Sequence, residues 1–453
     1  MTELSLPISR QSTGRFGANA YKVAALALTL VLASCGGDDD EVVIEGERIS
    51  VMKLEDQLVV DPVLRNTRVS LPRPYVNTDW PHAGGSETHA MHHVALGQSP
   101  QPMWRTSVGA GSDDNERIQA QPVVANGRIF TMDSNWHISA IDANSGRVIW
   151  RIALKDGDEK KSSASGGGIG YRNGTLYVTM GSGFAAALDA DSGIQQWRTD
   201  FDVALRGSPA MDDRHVYVTT HDSQFYALGL NDGSIQWQHT AIAEAAALMG
   251  ASTPAVKDDI VVAAFSSGEL FALQSRNGHI LWADSLTRTG RATPISTLND
   301  IDGHPVIDRG RVFAVGHSGR MASIDLRTGQ RVWENNIASS QTPWVAGDYV
   351  YVLTADNEVV CLSRETGKIR WLQELQRYED NDKNDDLIIW TGPVLAGDRL
   401  LLVSNHGFAV SLSPYDGTYL GGVDMPKRNY ISPVVANGVL YILSDNGDLH
   451  ALR

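Results

Sequence analysis

The chain has 453 residues, of which 42% are hydrophobic and 20% charged, a composition that excludes wholesale disorder. Its formal net charge of -15 would be repelled by phosphate backbones, which argues against generic nucleic-acid binding. Only two cysteines are present, so a disulfide framework and a four-cysteine zinc site are excluded; the 11 tryptophans need another explanation.

Arg10, Arg15 and Lys22 precede an apolar run from Val23 to Ala33. That run is too short to span a bilayer as a helix and suits the apolar region of a secretory signal. It ends in Leu32-Ala33-Ser34-Cys35. This tetrapeptide resembles the bacterial lipobox, which implies lipidation of Cys35 as the first mature residue; an ordinary signal peptide is the competing reading. Gly36 follows, where Asp would imply retention in the inner membrane, so the resemblance implies the outer membrane. Residues 1–34 are therefore expected to be a signal peptide. Residues 35–78, polar and acidic with Pro62, Pro72 and Pro74, are expected to form a tether with at most one short ordered segment.

Beyond this point the sequence repeats. Tryptophans stand at 104, 150, 197, 237, 282, 333 and 371. Those from Trp150 onward have a glycine four residues earlier: Gly146, Gly193, Gly233, Gly278, Gly329 and Gly367. Gly417 marks a further position, 421, but Gly421 stands there in place of tryptophan. A proline lies 28 residues before most of these positions (Pro122, Pro209, Pro254, Pro305, Pro343 and Pro393), and Ile169 replaces it once. The spacing averages about 45 residues, the range of four-stranded propeller blades.

The unit after Pro343 shows the internal pattern. Trp344 to Ala346 is a short strand, Gly347-Asp348 a tight turn, and Tyr349 to Leu353 a β-branched and aromatic strand. Asp356-Asn357 turns into Glu358 to Leu362, and Glu365-Thr366-Gly367 turns into a strand carrying Trp371. A meander this small cannot bury both faces alone, and stacking around an axis covers them. Seven units are complete; an eighth begins at Pro433 and lacks its fourth strand. Met103 to Thr106 is a spare tryptophan-bearing strand at the other end. The expected fold is therefore all-β: an eight-bladed propeller over residues 79–453, with four-stranded antiparallel blades and the last one closed by the N-terminal strand.

The pattern A-[LI]-D-x-x-[ST]-G-x-x-x-W, present from Ala140 to Trp150 and from Ala187 to Trp197, resembles the pyrroloquinoline quinone (PQQ) repeat. Eight such units behind a lipobox resemble the BamB family, the lipoprotein propellers of the outer-membrane β-barrel assembly machinery. Two loops resemble that family more specifically. Leu205-Arg206-Gly207, with Val203 in place of a leucine, resembles its L-x-L-R-G loop, and Leu298-Asn299-Asp300-Ile301-Asp302 resembles its L-S-D-V-D loop. The resemblance implies a non-enzymatic scaffold that binds the periplasmic domains of BamA through Val203, Leu205, Arg206, Asp300 and Asp302, and that assists unfolded outer-membrane clients. Each loop precedes a blade-opening Pro, or lies close before one, so both should emerge on one rim. An exposed Arg, two Asp and an exposed Leu would there form a small amphipathic patch. Simple solvated turns are the alternative.

Other chemistry is weakly signalled. The PQQ repeat is shared with quinoprotein dehydrogenases, so a periplasmic PQQ-dependent dehydrogenase is a competing function, as is a propeller with another periplasmic partner. Once Cys35 is lipidated, Cys361 stands alone, where the repeat elsewhere has Ala or Ser, and reads as a small core residue. His82, His89, His92 and His93 are close in sequence, but no Cys or carboxylate completes a metal set; a polar, partly ordered lead-in is expected. The acidic stretch from Tyr378 to Asp386 lacks the glycine and the terminal glutamate of a Ca²⁺ loop and reads as a solvated loop. The glycines from Gly166 to Gly170 lead into a strand and lack a following Lys-Ser or Lys-Thr, against nucleotide binding. No metal or cofactor is expected.

Overall fold

The computed structural model describes residues 58–65, 67–113, 116–154, 166–243, 252–287, 299–380, 385–425 and 428–453, so Cys35 and the signal segment lie outside the described residues. No α-helix occurs among the described residues. Eight antiparallel four-stranded sheets are present, and they are the expected blades. Blades one to seven cover residues 123–153, 167–200, 210–240, 255–285, 306–335, 344–374 and 390–424. Blade eight consists of Val434–Ala436, Val439–Leu443 and Asp448–Leu452, completed by Pro102–Ser107 as its outermost strand. In that closure Trp104 pairs with Ala451 and Thr106 with Leu449. The backbones of Gln101 and Arg453 exchange hydrogen bonds of 2.7 and 2.9 Å at its end.

The tryptophan ruler has a direct structural cause. Each of the seven indoles donates Nε1–H to a backbone carbonyl of the following blade, from Trp104 to Ala143 (3.2 Å) through Trp282 to Leu326 (2.8 Å) to Trp371 to Pro414 (3.2 Å). The glycine belongs to the same contact, but to the tryptophan of the blade before it. A Cβ on Gly278 would fall 2.6 Å from the Trp237 ring, and one on Gly329 2.6 Å from Trp282. The glycines also sit at positive φ, +71° at Gly278 and +73° at Gly329. One residue thus supplies both a left-handed turn and a flat bed for an indole. Between blades seven and eight the interlock is missing: Gly421 replaces the indole, and no glycine-bearing turn precedes Trp104.

The proline ruler is a pairing signal. Proline has no N–H to give, so pairing of the innermost strand begins just after it in blade one (Val123–Ala125), blade four (Ala255–Lys257) and blade five (Val306–Asp308). Blade two has Ile169 instead, and its inner strand starts earlier, as Gly167–Arg172.

The N-terminal region departs from the expected tether. Residues 58–65 and 67–78 lie against the ring: Leu58 and Val60 pack on the cluster around Val345 and Leu362, and Asp61 pairs with Lys368 at 2.8 Å. Residues 75–97 then form a strap across the axis. Its backbone or side chains bond Asn437 and Val435 of blade eight, Val124 of blade one, Tyr171 of blade two, Val256 of blade four, Ile307 of blade five, Trp344 of blade six and Leu395 of blade seven. The four histidines are ordered parts of this strap and do not converge on one point. His89 Nδ1 donates to the Pro305 carbonyl (2.8 Å), His93 Nδ1 to that of Pro72 (2.8 Å), and His92 faces Asp308 at 3.6 Å. Burial pushes His82 down to about 3 and His89 down to about 4, so both are neutral pins.

Two smaller expectations resolve differently. The acidic stretch is not all loop: Tyr378–Asp380 pairs with Asp385–Leu387 in an extra hairpin between blades six and seven. Cys361 is fully buried between Tyr351 and Trp371 in its sheet, as expected of a core residue, and burial pushes its thiol well up.

A paired substitution tests the indole bed. Gly127 and Gly278 share nearly the same φ, +72° and +71°, but a Cβ on Gly127 meets nothing within 4 Å. Gly127→Ala should cost about 1–2 kcal/mol of backbone strain. Gly278→Ala should cost that plus about 1–3 kcal/mol of overpacking against Trp237. Urea unfolding of both variants measures the difference.

Candidate functional site

The two loops singled out by sequence precede the innermost strands of blades three and five, on one side of the ring. The first is held by Leu205. This side chain is not exposed, as expected, but fully buried, packing with Met211, Val216, Val218 and Leu228. Its backbone bridges to Thr220. Burial of one large apolar side chain contributes about 1.5–3 kcal/mol, enough to fix a loop of this size. Leu205 therefore anchors the loop and leaves Val203 and Arg206, both half-buried, to face outward. Arg206 is pinned through its backbone: its N–H donates to Thr219 (3.3 Å) and its carbonyl accepts from Gly167 (2.9 Å).

The second loop is likewise more buried than expected. Asp300 is only 2% exposed, and its carbonyl accepts the His317 N–H at 2.9 Å. Asp302 is half-buried. The Leu298 part of the motif and most of the preceding connection lie outside the described residues. Although about a hundred residues apart in sequence, Arg206, Asp300 and Asp302 line one crevice of about 20 Å³ with Thr220, Ser223 and Ser252. The structure thus brings three of the five predicted residues together and assigns Leu205 to their support.

This crevice opens beside a larger axial funnel of about 540 Å³. The strap supplies its floor through Trp80, Ala83, Gly84 and His89. Trp80 stacks on Trp344 with ring centroids 6.3 Å apart. The walls come from the loops that lead into the blades and include Arg117, Arg206, Asp302, His304, Gln341 and Tyr430. Burial, and then repulsion by Asp300, push the Asp302 carboxyl up to about 7, while Arg206 pulls it back. His304 is pushed down by burial and stays neutral. No motif or spacing marks Arg117, Tyr430 or the strap residues as parts of one cavity.

One further group has metal-ligand character among the described residues: Glu379, Asp386 and His406, with ligand atoms within 4.8 Å of one another. The two carboxylates approach different ring nitrogens of His406, at 3.7 and 3.4 Å. The imidazole is thus placed as a bridge between two acids, tying the extra hairpin to blade seven, more than as a ligand presenting one nitrogen to an ion.

Asp302 makes a prediction about pH. Its folded pKa is raised, so its contribution to stability is present at low pH and is lost as pH rises through about 7. The loss starts as pH passes the unfolded value near 3.8 and is complete above about 7, so Asp302→Asn should match the parent near pH 3 and exceed it at pH 8, by about 1–3 kcal/mol. Thermal melts across that range measure the gap.

The family model described as "Outer membrane protein assembly factor BamB" matches residues 134–373. The BamB of Yersinia pestis is 26% identical over 358 residues, covering 78% of this chain and 88% of that protein. The BamB of Escherichia coli K12 is 25% identical over 360 residues, covering 78% and 89%. Among solved structures, BamB from Moraxella catarrhalis superposes with a TM-score of 0.64 at 21% identity, covering 77% of this chain and all of that one. Quinohemoprotein alcohol dehydrogenase from Comamonas testosteroni gives 0.65 at 12% identity, covering 83% and 80%. These structural likenesses speak for the propeller fold alone. With more than half its length matched by the family model, the chain belongs to the family of the outer membrane protein assembly factor BamB.

Proposed function

We propose that the protein is a non-enzymatic, lipid-anchored scaffold of the outer-membrane β-barrel assembly machinery, held at the periplasmic face of the outer membrane through Cys35. It docks on the periplasmic domains of BamA through Val203, Arg206 and Asp302, with Leu205 and Asp300 shaping the loops beneath. The observation that carries this reading is the convergence of the two family-like loops on one crevice. An arginine fork beside a partly desolvated carboxyl, on rigid supports, is the composition of an interface hot spot. The docked rim leaves the remaining blade edges free to meet extended client chains. The propeller fold is shared with dehydrogenases, but fold alone carries no chemistry.

Two experiments test the proposal. Arg206→Glu reverses a half-exposed charge and should reduce co-isolation of BamA from solubilised membranes by about tenfold or more, with an unchanged melting temperature. Full retention of BamA by this variant would remove the rim from the interface. Cys35→Ser should move the protein from the membrane to the soluble periplasmic fraction and abolish incorporation of radiolabelled palmitate.

A further inference from the structure

We propose that the axial funnel binds a small hydroxylated di- or tricarboxylate, held between Arg117 and Arg206. The argument begins with what the funnel already uses. Gln121 is consumed by the fold: its Oε1 accepts from Gly84 N (2.7 Å) and Trp80 Nε1 (3.3 Å), and its Nε2 donates to the Ser432 carbonyl (3.1 Å). The Gln341 amide oxygen accepts from Gly392 N. His304 Nδ1 accepts from Thr253 N at 3.0 Å. These groups hold the walls and are not available to a ligand.

Two guanidiniums remain. Among the described residues, neither the Arg117 nor the Arg206 side chain makes a hydrogen bond or an ion pair within 4 Å. Arg117 is poised over the Tyr430 ring, 5.7 Å from its centroid, and Arg206 is fixed by its backbone bonds. They stand on different walls, one beside blades one and eight and the other before blade three. In a chain of net charge -15, two arginines on one cavity stand out, Arg117 over Tyr430 and Arg206 within electrostatic reach of Asp302 but not hydrogen-bonded to it. A guanidinium fork fits a carboxylate in bidentate fashion, so two forks on two walls select a molecule with at least two carboxylates. Asp445 also lines the cavity, on the Arg117 side, and offers an acceptor to a ligand hydroxyl. Asp302 does the same on the Arg206 side.

The size and closure are suitable. A volume of about 540 Å³ lies within the range of small-molecule pockets and exceeds the needs of a few waters. The strap blocks one end, so a ligand reaches the funnel from the rim side only and rests on a floor that includes Trp80 and His89. This site shares Arg206 and Asp302 with the proposed docking rim, while Arg117 belongs to the funnel alone.

Citrate is a suitable probe, with three carboxylates and one hydroxyl. Calorimetric titration of the purified full chain should show one saturable site per protein with a dissociation constant of about 0.1–1 mM. Arg117→Gln and Arg206→Gln should each weaken it about tenfold with unchanged melting temperatures. Sulfate at matched ionic strength should neither bind comparably nor compete. Arg117→Gln should leave co-isolation of BamA intact, which separates the two sites. Absence of saturable binding at millimolar citrate, full binding by both variants, or equal binding of sulfate overturns the proposal.

Discussion

The structure depends on one contact, repeated around the ring: an indole lying on the glycine of the next blade while its N–H bonds that blade's carbonyl. A four-stranded sheet has two faces and too little chain to cover either. The tryptophan covers one face from the outer strand, and the missing side chain of glycine lets the neighbouring blade come close. Aromatic partners in the second strands, such as Tyr217 for Trp237 and Tyr351 for Trp371, fix the indole from its own blade at ring distances of 5.8 and 5.9 Å. Because blades one to six each give an indole to the next blade and receive one from the blade before, the stacking is directional, and local geometry propagates around the axis.

The strap is a second, independent constraint. It is irregular chain, yet it is hydrogen-bonded to seven of the blades. Without it those inner strands would enclose an open tube. With it the molecule has a closed end and a funnel, and the loops around the open rim become walls. Histidines suit such a position, because His89 and His93 each give a directed hydrogen bond to a backbone carbonyl.

The ring was legible in the sequence because its determinants repeat. Trp150, Gly193 and their counterparts recur at one spacing, and a spare strand before the ring with a unit one strand short at its end predicted the closure of the eighth blade. The strap was not legible, since it does not repeat and its partners are backbone groups that leave no trace in composition. His82, His89, His92 and His93 looked like a cluster in sequence, but their side chains do not share a partner: His89 meets Pro305, His92 Asp308 and His93 Pro72. Leu205 was misjudged for a related reason: a leucine in a loop beside an arginine suggests a sticky surface, whereas its position over Val216 and Leu228 makes it core. The repeat placed the loops of Arg206 and Asp302 on one rim, since each comes shortly before a blade-opening proline, and the family resemblance singled out these two loops from the others.

The unlocked seam between blades seven and eight has a consequence for biogenesis. The strands of blade eight come from the two ends of the ring, so that sheet cannot form until the last residues have emerged. Joining ends this far apart costs about 5 kcal/mol of chain entropy. At the same seam the outer strand of blade seven exposes Tyr419, Leu420 and Val423, with no indole behind them. A chain made amino end first therefore waits as an open arc of stacked blades, with its sticky edge at the place where the circle is to be joined. The time spent as an arc is set by delivery of the carboxyl end.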